Sequence, residues 1–330
     1  MSSNSALSQT GEVACNAIVT PGNKSVIQLR DTQYYLLVMK QRYSMTLDPA
    51  LMHKIDLLVD GTRFTNRSET AQFLLKLGIE QFRPERTALI LCGGLETRVR
   101  PSSFSIPKPL LPIGYQPLLE YQIEYLKRYE FDRIILAIGY LQEQIVRYLD
   151  EHKLGIRLRY SFEKEPLDTG GALKNSEALI GSDFLALNGD VIFAGLDLDK
   201  LIYTHKKSNA AVTIVLAKSN TPTRFGAVEL DNENRVISFV EKPRKQPAGE
   251  AWVNAGVYVI RPSVFAKIPK AKRISLELDV FPKLMREGTI SGYKHDGYWA
   301  DVGTPEDYLR VQKDLLTGVF KPQEATANNT

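Results

Sequence analysis

The sequence predicts an α/β fold with a mostly parallel sheet, and three observations support that prediction. From residue 87 onward, short strand-like apolar runs alternate with helix-like segments, which indicates βαβ units. Two glycines, Gly93 and Gly94, directly follow the first of these runs. The carboxylate Asp190 follows one later run, and the carboxylate Glu241 ends another. A chain of 330 residues is long enough for one large α/β domain and a smaller one.

The strand-like runs fall into two groups. Five of them alternate with helices, at 88–92, 133–138, 156–162, 183–187 and 211–216, and the helix-like segments between them lie at 118–129, 141–151, 171–179 and 197–207. Three later runs follow one another without helices, so we expect the sheet to gain a mixed edge; they lie at 225–230, 236–241 and 252–260. A closing helix is predicted at 308–316, and 318–330 is predicted to be a flexible polar tail.

Composition excludes several classes of protein. The formal net charge of +4 is too small to indicate a nucleic-acid partner by itself. The chain lacks an apolar run of the roughly 18 residues that a membrane helix needs, and its first residues do not resemble a signal peptide. Cys15 and Cys92 lie far apart, as free thiols in a reduced compartment do. We therefore expect a cytoplasmic protein without a membrane partner.

The segment from Ala88 to Pro109 carries the strongest functional signal. An apolar run ends at Gly93-Gly94, and Leu95-Glu96-Thr97-Arg98-Val99-Arg100-Pro101 and then Pro107-Lys108-Pro109 follow. Glycines after a buried strand let backbone N–H groups approach a phosphate closely, while arginine and lysine supply compensating charge. An ordinary turn rarely combines these features, so the segment predicts a phosphate-binding loop.

Five further motifs carry candidate site residues. Asp190 ends Asn188-Gly189-Asp190, and a carboxylate at that end of a parallel strand lies at the binding edge of the sheet, although such an aspartate is as often a turn residue. The other motifs are Glu241-Lys242-Pro243, Asn254-Ala255-Gly256 and Trp299-Ala300-Asp301-Val302-Gly303-Thr304-Pro305. Glu165-Pro166-Leu167-Asp168-Thr169-Gly170-Gly171 would by spacing alone be only a helix start.

Together these motifs resemble the nucleoside-diphosphate-sugar pyrophosphorylase family, the sugar-1-phosphate nucleotidylyltransferases, from about residue 87 to 317. The family pattern reads G-G-x-G-T-R-L-R-P and then P-K-P. This sequence departs from the family pattern at two positions. Glu96 stands where the family usually has a second loop glycine, and Asp168 replaces the frequent glycine of the E-P-L-G-T segment. The resemblance implies a Rossmann-like, mixed sheet of the nucleotide-diphospho-sugar transferase type over residues 85–317. It is greatest to mannose- or heptose-1-phosphate guanylyltransferase-like members, so guanine is the expected base.

The resemblance also implies a role for each motif. In this family, sugar-1-phosphate attacks the α-phosphorus of a nucleoside triphosphate and pyrophosphate leaves, so catalysis rests on alignment and charge neutralisation. Arg98 and Lys108 would stabilise the triphosphate and the leaving pyrophosphate, and Lys242 would position the attacking phosphate. Asp190 and Asp301 would hold Mg²⁺. The implied nucleotide contacts are Leu91, Gly93, Gly94, Thr97, Gly170 and Gly171, and the implied sugar contacts are Glu241, Asn254 and Gly256.

A small domain of different character is predicted at 40–84, after a poorly ordered segment at 1–39 that contains two short strand-like runs. Residues 41–47 alternate polar and apolar side chains, and helix signals follow at Asp48-Pro49 and at Asn66. One strand and two helices resemble the ribbon-helix-helix DNA-binding domains, in which two chains pair their strands and the ribbon enters the DNA major groove.

That resemblance implies a homodimer through the ribbon, with DNA as a candidate partner. Tyr43, Met45 and Leu47 would face the dimer core, and the outward side chains Arg42, Ser44 and Thr46 would be the DNA contacts. Acidic residues nearly balance the basic ones in this segment, which is a weak electrostatic signal for DNA. A dimerisation device attached to an enzyme therefore stands as an equal alternative.

Two functions follow from the sequence. The first is a sugar-1-phosphate nucleotidylyltransferase, which the retention of Arg98, Lys108, Asp190, Lys242 and Asp301 favours. The second is a DNA-binding regulator whose transferase-like domain senses a nucleotide or nucleotide sugar. Glu96 favours the regulator, because an acid in the phosphate loop would weaken turnover.

Overall fold

The computed structural model describes residues 45–94, 106–245, 249–270 and 273–322, and the chain divides into two compact units after Phe82. The first unit contains helices α1 (Pro49–Asp56) and α2 (Arg67–Phe82). Residues 45–48 are not in a strand, and the remainder of the predicted ribbon strand, including Arg42 and Ser44, lies outside the described residues.

Side-chain caps define both helices, as the sequence predicts. The Asp48 carboxylate accepts a hydrogen bond from the Ala50 N–H at 2.7 Å, and the Asn66 side chain accepts one from the Glu69 N–H at 2.9 Å. Between the helices, Asp60 accepts from the backbone N–H groups of the next turn, which lower its pKa to about 2. The turn and both helix starts are therefore fixed locally.

The first unit buries little apolar surface. Ile55 and Phe64 are its buried apolar side chains among the described residues, and the Phe64 ring lies 5.0 Å from that of Phe73. Most of its other large apolar side chains are exposed: Met45, Leu51, Leu57, Leu58, Leu74, Leu75, Leu77 and Ile79. Two short helices of this kind do not form a sufficient core by themselves.

The second unit is built on a nine-stranded mixed sheet, which confirms the predicted fold class. Its strands and those of two small ladders are β1 (Thr87–Cys92), β2 (Pro112–Ile113), β3 (Gln116–Pro117), β4 (Arg133–Ile138), β5 (Arg157–Phe162), β6 (Phe184–Asn188), β7 (Val191–Ala194), β8 (Val212–Ser219), β9 (Gly226–Leu230), β10 (Val236–Glu241), β11 (Ala251–Ile260), β12 (Ile290–Lys294) and β13 (Tyr298–Asp301). The main order is β10-β9-β11-β6-β1-β4-β5, and β8 pairs with both β11 and β12.

Along the main strand order, the pairing changes from parallel to antiparallel at β6. β6, β1, β4 and β5 are parallel, whereas β11 runs antiparallel to β6 and pairs antiparallel with β8 and β9. Outside the sheet, β7 pairs with β13 and β2 pairs with β3. The mixed edge that the three consecutive strand-like runs predict is therefore present.

Helices cover both faces of the sheet. They are α3 (Leu118–Arg128), α4 (Gln142–His152), α5 (Asp168–Asn175), α6 (Leu198–Ser208), α7 (Phe281–Arg286) and α8 (Pro305–Leu316). α3, α4 and α6 pack against one face, and α5 and α7 against the other. Among the described residues, none of the helices combines the length and the apolar character that crossing a membrane requires.

The prediction of a flexible tail from residue 318 is wrong at its start. Phe320 follows α8 and is buried, because its ring packs against Tyr298 at 4.9 Å and Tyr121 at 5.7 Å. This aromatic cluster joins α3, α8 and the β7–β13 ladder. The polar composition of the last residues conceals a single apolar anchor.

Candidate active site

A cavity of about 720 Å³ opens at the carboxyl ends of β1 and β6. Parallel α/β sheets bind ligands at this edge. Its lining includes most of the residues predicted from the sequence: Leu91, Gly93, Gly94, Lys108, Asp190, Glu241, Lys242, Asn254, Gly256 and Asp301. Glu96, Thr97 and Arg98 lie outside the described residues, so their roles stay predictions.

A glycine turn brings Asp190 beside the phosphate loop. The Gly189 N–H donates to the Leu91 carbonyl at 2.9 Å, so the chain after β6 lies directly against the end of β1. A Cβ at Gly189 would lie 2.7 Å from that same carbonyl oxygen. Glycine is required here for close approach, and the turn places Asp190 at the cavity.

Lys108 and Asp190 form an ion pair in the cavity wall. Lys108 begins the short turn Lys108–Leu110, and its Nζ lies 2.5 Å from Asp190 Oδ2. Both side chains are partly buried, which strengthens the attraction relative to a solvent-exposed pair. The lysine of the Pro-Lys-Pro motif therefore stands at the carboxylate end of the cavity.

The β7–β13 ladder brings Asp301 next to Asp190. Asp301 ends β13 and pairs with Val191 of β7, while the Val302 N–H donates to the Asp190 carbonyl at 2.8 Å. Burial raises the pKa of Asp301, the Asp190 carboxylate raises it further, and Lys108 opposes both effects. Two aspartates that are far apart in the chain thus lie close together and form one acidic pair in the cavity wall.

The donor set of this acidic pair fits a divalent cation. Carboxylate oxygens are hard ligands, and a bound cation would relieve the repulsion that raises the pKa of Asp301. Among the described residues, no group of three or more histidine, cysteine, aspartate or glutamate side chains is placed to hold a metal ion. A cation held by two carboxylates would complete its coordination with substrate phosphate and water, as Mg²⁺ does.

Lys242 and Glu241 lie at the end of β10. The Lys242 backbone has a φ of 47° and its N–H donates to the Phe225 carbonyl at 2.9 Å, while Nζ lies 3.5 Å from Glu241 Oε1. Burial and the nearby Glu277 raise the pKa of Glu241, and Lys242 lowers it. A cation and a carboxylate acceptor therefore stand side by side in the wall.

Sequence reasoning missed another cation of the cavity wall, Arg224, which directly precedes Phe225. Its guanidinium forms a two-point ion pair with Asp307, one contact at 3.0 Å between Nη1 and Oδ1 and a shorter one between Nη2 and Oδ2. Although burial opposes it, Arg224 together with Thr304 lowers the pKa of Asp307. No motif pointed to this pair, because its members are 83 residues apart.

Asn254 and Gly256 form an irregular turn within β11. The pairing of β11 with β8 is interrupted between Asn254 and Tyr258, and Gly256 has a φ of 71°. A Cβ on Gly256 would lie 2.7 Å from the Asn188 side-chain nitrogen. The glycine is needed both for its backbone conformation and for space.

Gly170 and Gly171 lie behind the cavity wall and are not among its lining residues. Both N–H groups donate to the Ile274 carbonyl, at 2.8 Å and 3.1 Å, and are therefore occupied within the protein. Asp168, Thr169 and Ala172 of α5 line the cavity instead. The cavity lining therefore does not support the sequence-based prediction that the two glycines contact the nucleotide.

A second residue that sequence reasoning missed is Glu163, which follows β5 and is 7% exposed. Its Oε2 accepts the Leu167 N–H at 3.2 Å, while Oε1 has no hydrogen-bond partner among the described residues. A Cβ on Gly93 would lie 2.1 Å from that Oε1. Burial raises the pKa of Glu163. Its position directly after a strand-like run, like that of Asp190, was the available signal.

The comparisons agree with this geometry. Residues 87–318 match the family described as Nucleotidyl transferase. The chain is 36% identical to the mannose-1-phosphate guanylyltransferase of Mycobacterium tuberculosis, over 70% of this chain and 65% of that protein. It is 38% identical to the D-glycero-alpha-D-manno-heptose 1-phosphate guanylyltransferase of Campylobacter jejuni, over 67% of this chain and 96% of that protein.

Solved structures show the same fold. HddC from Yersinia pseudotuberculosis superimposes with a TM-score of 0.62 at 32% identity, over 70% of this chain and 99% of HddC, and a second HddC structure is a complex with GMP-PN. The family match begins at residue 87, so the ribbon-helix-helix interpretation of 40–84 stays a prediction. From residue 87 onward the chain belongs to the nucleotidyl transferase family.

Proposed function

We propose that this protein is a sugar-1-phosphate guanylyltransferase that converts GTP and mannose- or heptose-1-phosphate to a GDP-sugar and pyrophosphate. One observation carries the proposal: the Lys108–Asp190 ion pair lies beside Asp301 in a cavity that also holds Lys242 and Arg224. The relatives from M. tuberculosis and C. jejuni support the choice of base and sugar class. The chain spans only 65% of the M. tuberculosis relative, so the proposal concerns the reaction in this cavity.

The reaction requires neutralisation of the negative charges on the phosphates, and it requires no activated side-chain nucleophile. A phosphate oxygen of the sugar-1-phosphate attacks the α-phosphorus, and the bond to the β-phosphate bridging oxygen breaks, with its electron pair leaving on pyrophosphate. The nucleophile is already an anion, so no proton has to be removed. Lys242 and Arg224 offset the charge of the attacking phosphate, and Lys108 offsets that of the triphosphate.

Asp190 and Asp301 are the residues that would hold Mg²⁺, which when bound neutralises charge on the phosphate oxygens. Lys108 fixes the Asp190 carboxylate, and the Val302–Asp190 backbone hydrogen bond of 2.8 Å fixes the spacing of the two aspartates. Arg98 remains the predicted partner of the leaving pyrophosphate.

Glu163 supports guanine as the base. Guanine presents an N1–H and an exocyclic amino group side by side, and a carboxylate can accept from both. The unpaired Oε1 of Glu163 lies against Gly93, at the strand end where the phosphate loop begins. A buried acceptor without a donor is unfavourable, and rotation of the carboxylate toward the cavity, which Glu163 lines, would let a base supply that donor. Cytosine and uracil lack this pair of donors, and adenine lacks the N1–H.

The test is a pyrophosphate-release screen of five nucleoside triphosphates against a panel of sugar-1-phosphates with Mg²⁺. We expect release with GTP and mannose- or heptose-1-phosphate. Glu163→Gln should lower kcat/KM for GTP by about tenfold to a hundredfold, because one of its acceptors becomes a donor. Glu165→Gln is the matched control, because Glu165 is an exposed glutamate only two residues further along the same loop. Release with another base only, or with none, would contradict the proposal.

The first unit supports a homodimer as the assembly of this protein. Its exposed apolar side chains would be buried by association, and a second copy of the same unit presents a matching apolar surface. The exposed Met45 and Thr46 lie at the predicted ribbon. If the ribbon also contacts DNA, Arg42→Ala should reduce the salt dependence of binding by a slope of about two per dimer.

A further inference from the structure

A chain of hydrogen bonds behind the cavity converges on Glu277, a residue that precedes α7 and lines the cavity. The chain joins the start of α5 to the Asn254–Gly256 turn through the buried Tyr258. Because backbone N–H groups can only donate, they fix the direction of every bond in it.

On the β11 side the direction starts at Gly256. Its N–H donates to Asn254 Oδ1 at 3.0 Å, so the other side-chain atom, Nδ2, faces Tyr258 and donates to Oη at 2.9 Å. The Tyr258 hydroxyl must then donate its own proton, and it does so to Glu277 Oε1 at 3.2 Å. Tyr258 is 0% exposed, and burial and Glu277 raise its pKa, so the hydroxyl keeps that proton.

On the α5 side the same logic holds. The Leu276 N–H donates to Thr169 Oγ1 at 2.9 Å, which leaves the Thr169 proton for Glu277 Oε2 at 2.7 Å. The Leu278 N–H donates to Ser275 Oγ at 3.1 Å, and Ser275 in turn donates to Oε2 at 2.7 Å. The hydroxyl groups of Tyr258, Thr169 and Ser275 therefore all donate to Glu277. A carboxylate can accept these bonds because both of its oxygens are acceptors.

We propose that Glu277 is a positioning residue that holds the Asn254 amide with an N–H toward the sugar, acting through Tyr258. This inference rests on the proposed function. Asn254 then presents a donor in the same cavity wall in which Glu241, at the end of β10, presents an acceptor. The hydroxyl groups of a sugar satisfy both, because a hydroxyl can accept from Asn254 and can donate to Glu241. The pair selects a substrate with a free hydroxyl at that position.

The substitutions Tyr258→Phe and Glu277→Gln test this arrangement. Tyr258→Phe keeps the buried ring and removes only the hydroxyl that orients Asn254. Glu277→Gln puts an amide donor where an acceptor is required. We expect each to raise the KM for sugar-1-phosphate about threefold to tenfold, the size of one hydrogen bond, and to leave the KM for GTP within about twofold. Tyr148→Phe, which breaks a tyrosine–carboxylate bond to Glu120 away from the cavity, is the matched control.

A second background makes the test specific. If Tyr258 acts through Asn254, Tyr258→Phe should have no further effect on the sugar KM in an Asn254→Ala protein. An unchanged sugar KM in Tyr258→Phe, an equal effect in the Asn254→Ala background, or a parallel rise in the KM for GTP would overturn the inference while leaving the proposed function intact. If Glu277→Gln does not fold, the Tyr258→Phe cycle decides alone. Wild-type protein without turnover would defeat the proposed function and this inference with it.

Discussion

Residues 45–82 and residues 83–322 differ in how they treat their apolar side chains. The second unit buries them in two clusters on the faces of its sheet and a third around Phe320. The first unit leaves eight large apolar side chains exposed and buries Ile55 and Phe64 among its described residues. The second unit carries its own core, whereas the described part of the first unit does not form a sufficient one.

The difference indicates a division of labour. Every cavity residue named above belongs to the second unit, so its chemistry should depend on local geometry and not on assembly. The first unit should determine association. Variants that separate activity, stability and association will test this contrast.

The largest effect is expected from Asp301→Asn. It removes one of the two adjacent carboxylates, so kcat for pyrophosphate release should fall at least about a hundredfold. The oligomeric mass and the melting temperature should not fall, because a buried charge is removed. Asp314→Asn is the matched control, since Asp314 accepts from Tyr298 outside the cavity. Retention of more than about a tenth of the activity would remove Asp301 from the site.

The next effect concerns the stability of the second unit. His205 is fully buried, and burial lowers its pKa from 6.5 to about 4 although Asp183 lies 3.8 Å away. Below pH 6.5 the unfolded chain takes up a proton at this residue that the native protein does not. The free energy of unfolding should therefore fall as the pH drops from about 6.5 to about 4, by a few kcal/mol at about 1.4 kcal/mol per pKa unit.

Urea unfolding of wild type and His205→Gln at pH 7 and pH 4.5 measures this contribution. The substitution should reduce the loss of stability between the two pH values, while His152→Gln, at an exposed histidine, should keep the wild-type loss. Equal losses in wild type and His205→Gln would show that His205 is protonated in the folded protein.

The smallest expected effect concerns association. Met45 is exposed and lies in the segment predicted to pair, so Met45→Lys should weaken self-association at least about tenfold by burying an unpaired charge. Sedimentation velocity at several concentrations would measure it. Leu309→Lys, at an equally exposed leucine on α8, should leave the mass unchanged. Wild-type protein that is monomeric at micromolar concentration would refute the dimer.

The sequence was most informative where a motif and a strand end coincide. Lys108, Asp190 and Asp301 each sit in a recognisable local pattern, and the sheet then brings them to one cavity. Arg224 and Glu277 carry no such pattern, since the first acts with Asp307 and the second with Thr169 and Tyr258, all distant in the chain. Tertiary pairing of this kind is visible only in the folded chain.

Two errors have simpler causes. Gly170 and Gly171 sit at a helix start, where N–H groups are usually available to a ligand, but the Ile274 carbonyl occupies both. The polar composition of the tail predicts flexibility, but it gives no weight to the single Phe320, which is buried. A local sequence pattern predicts which backbone or side-chain groups are present at a position. It does not predict which distant residue contacts them in the folded chain.

The most direct test of the proposed reaction is identification of its products by mass spectrometry. Wild-type protein would be incubated with GTP, mannose- or heptose-1-phosphate and Mg²⁺. We expect a GDP-sugar and pyrophosphate in equal amounts, and neither product with Asp301→Asn. Formation of GDP and phosphate, or a pyrophosphate yield that does not depend on the sugar-1-phosphate, would contradict the proposal.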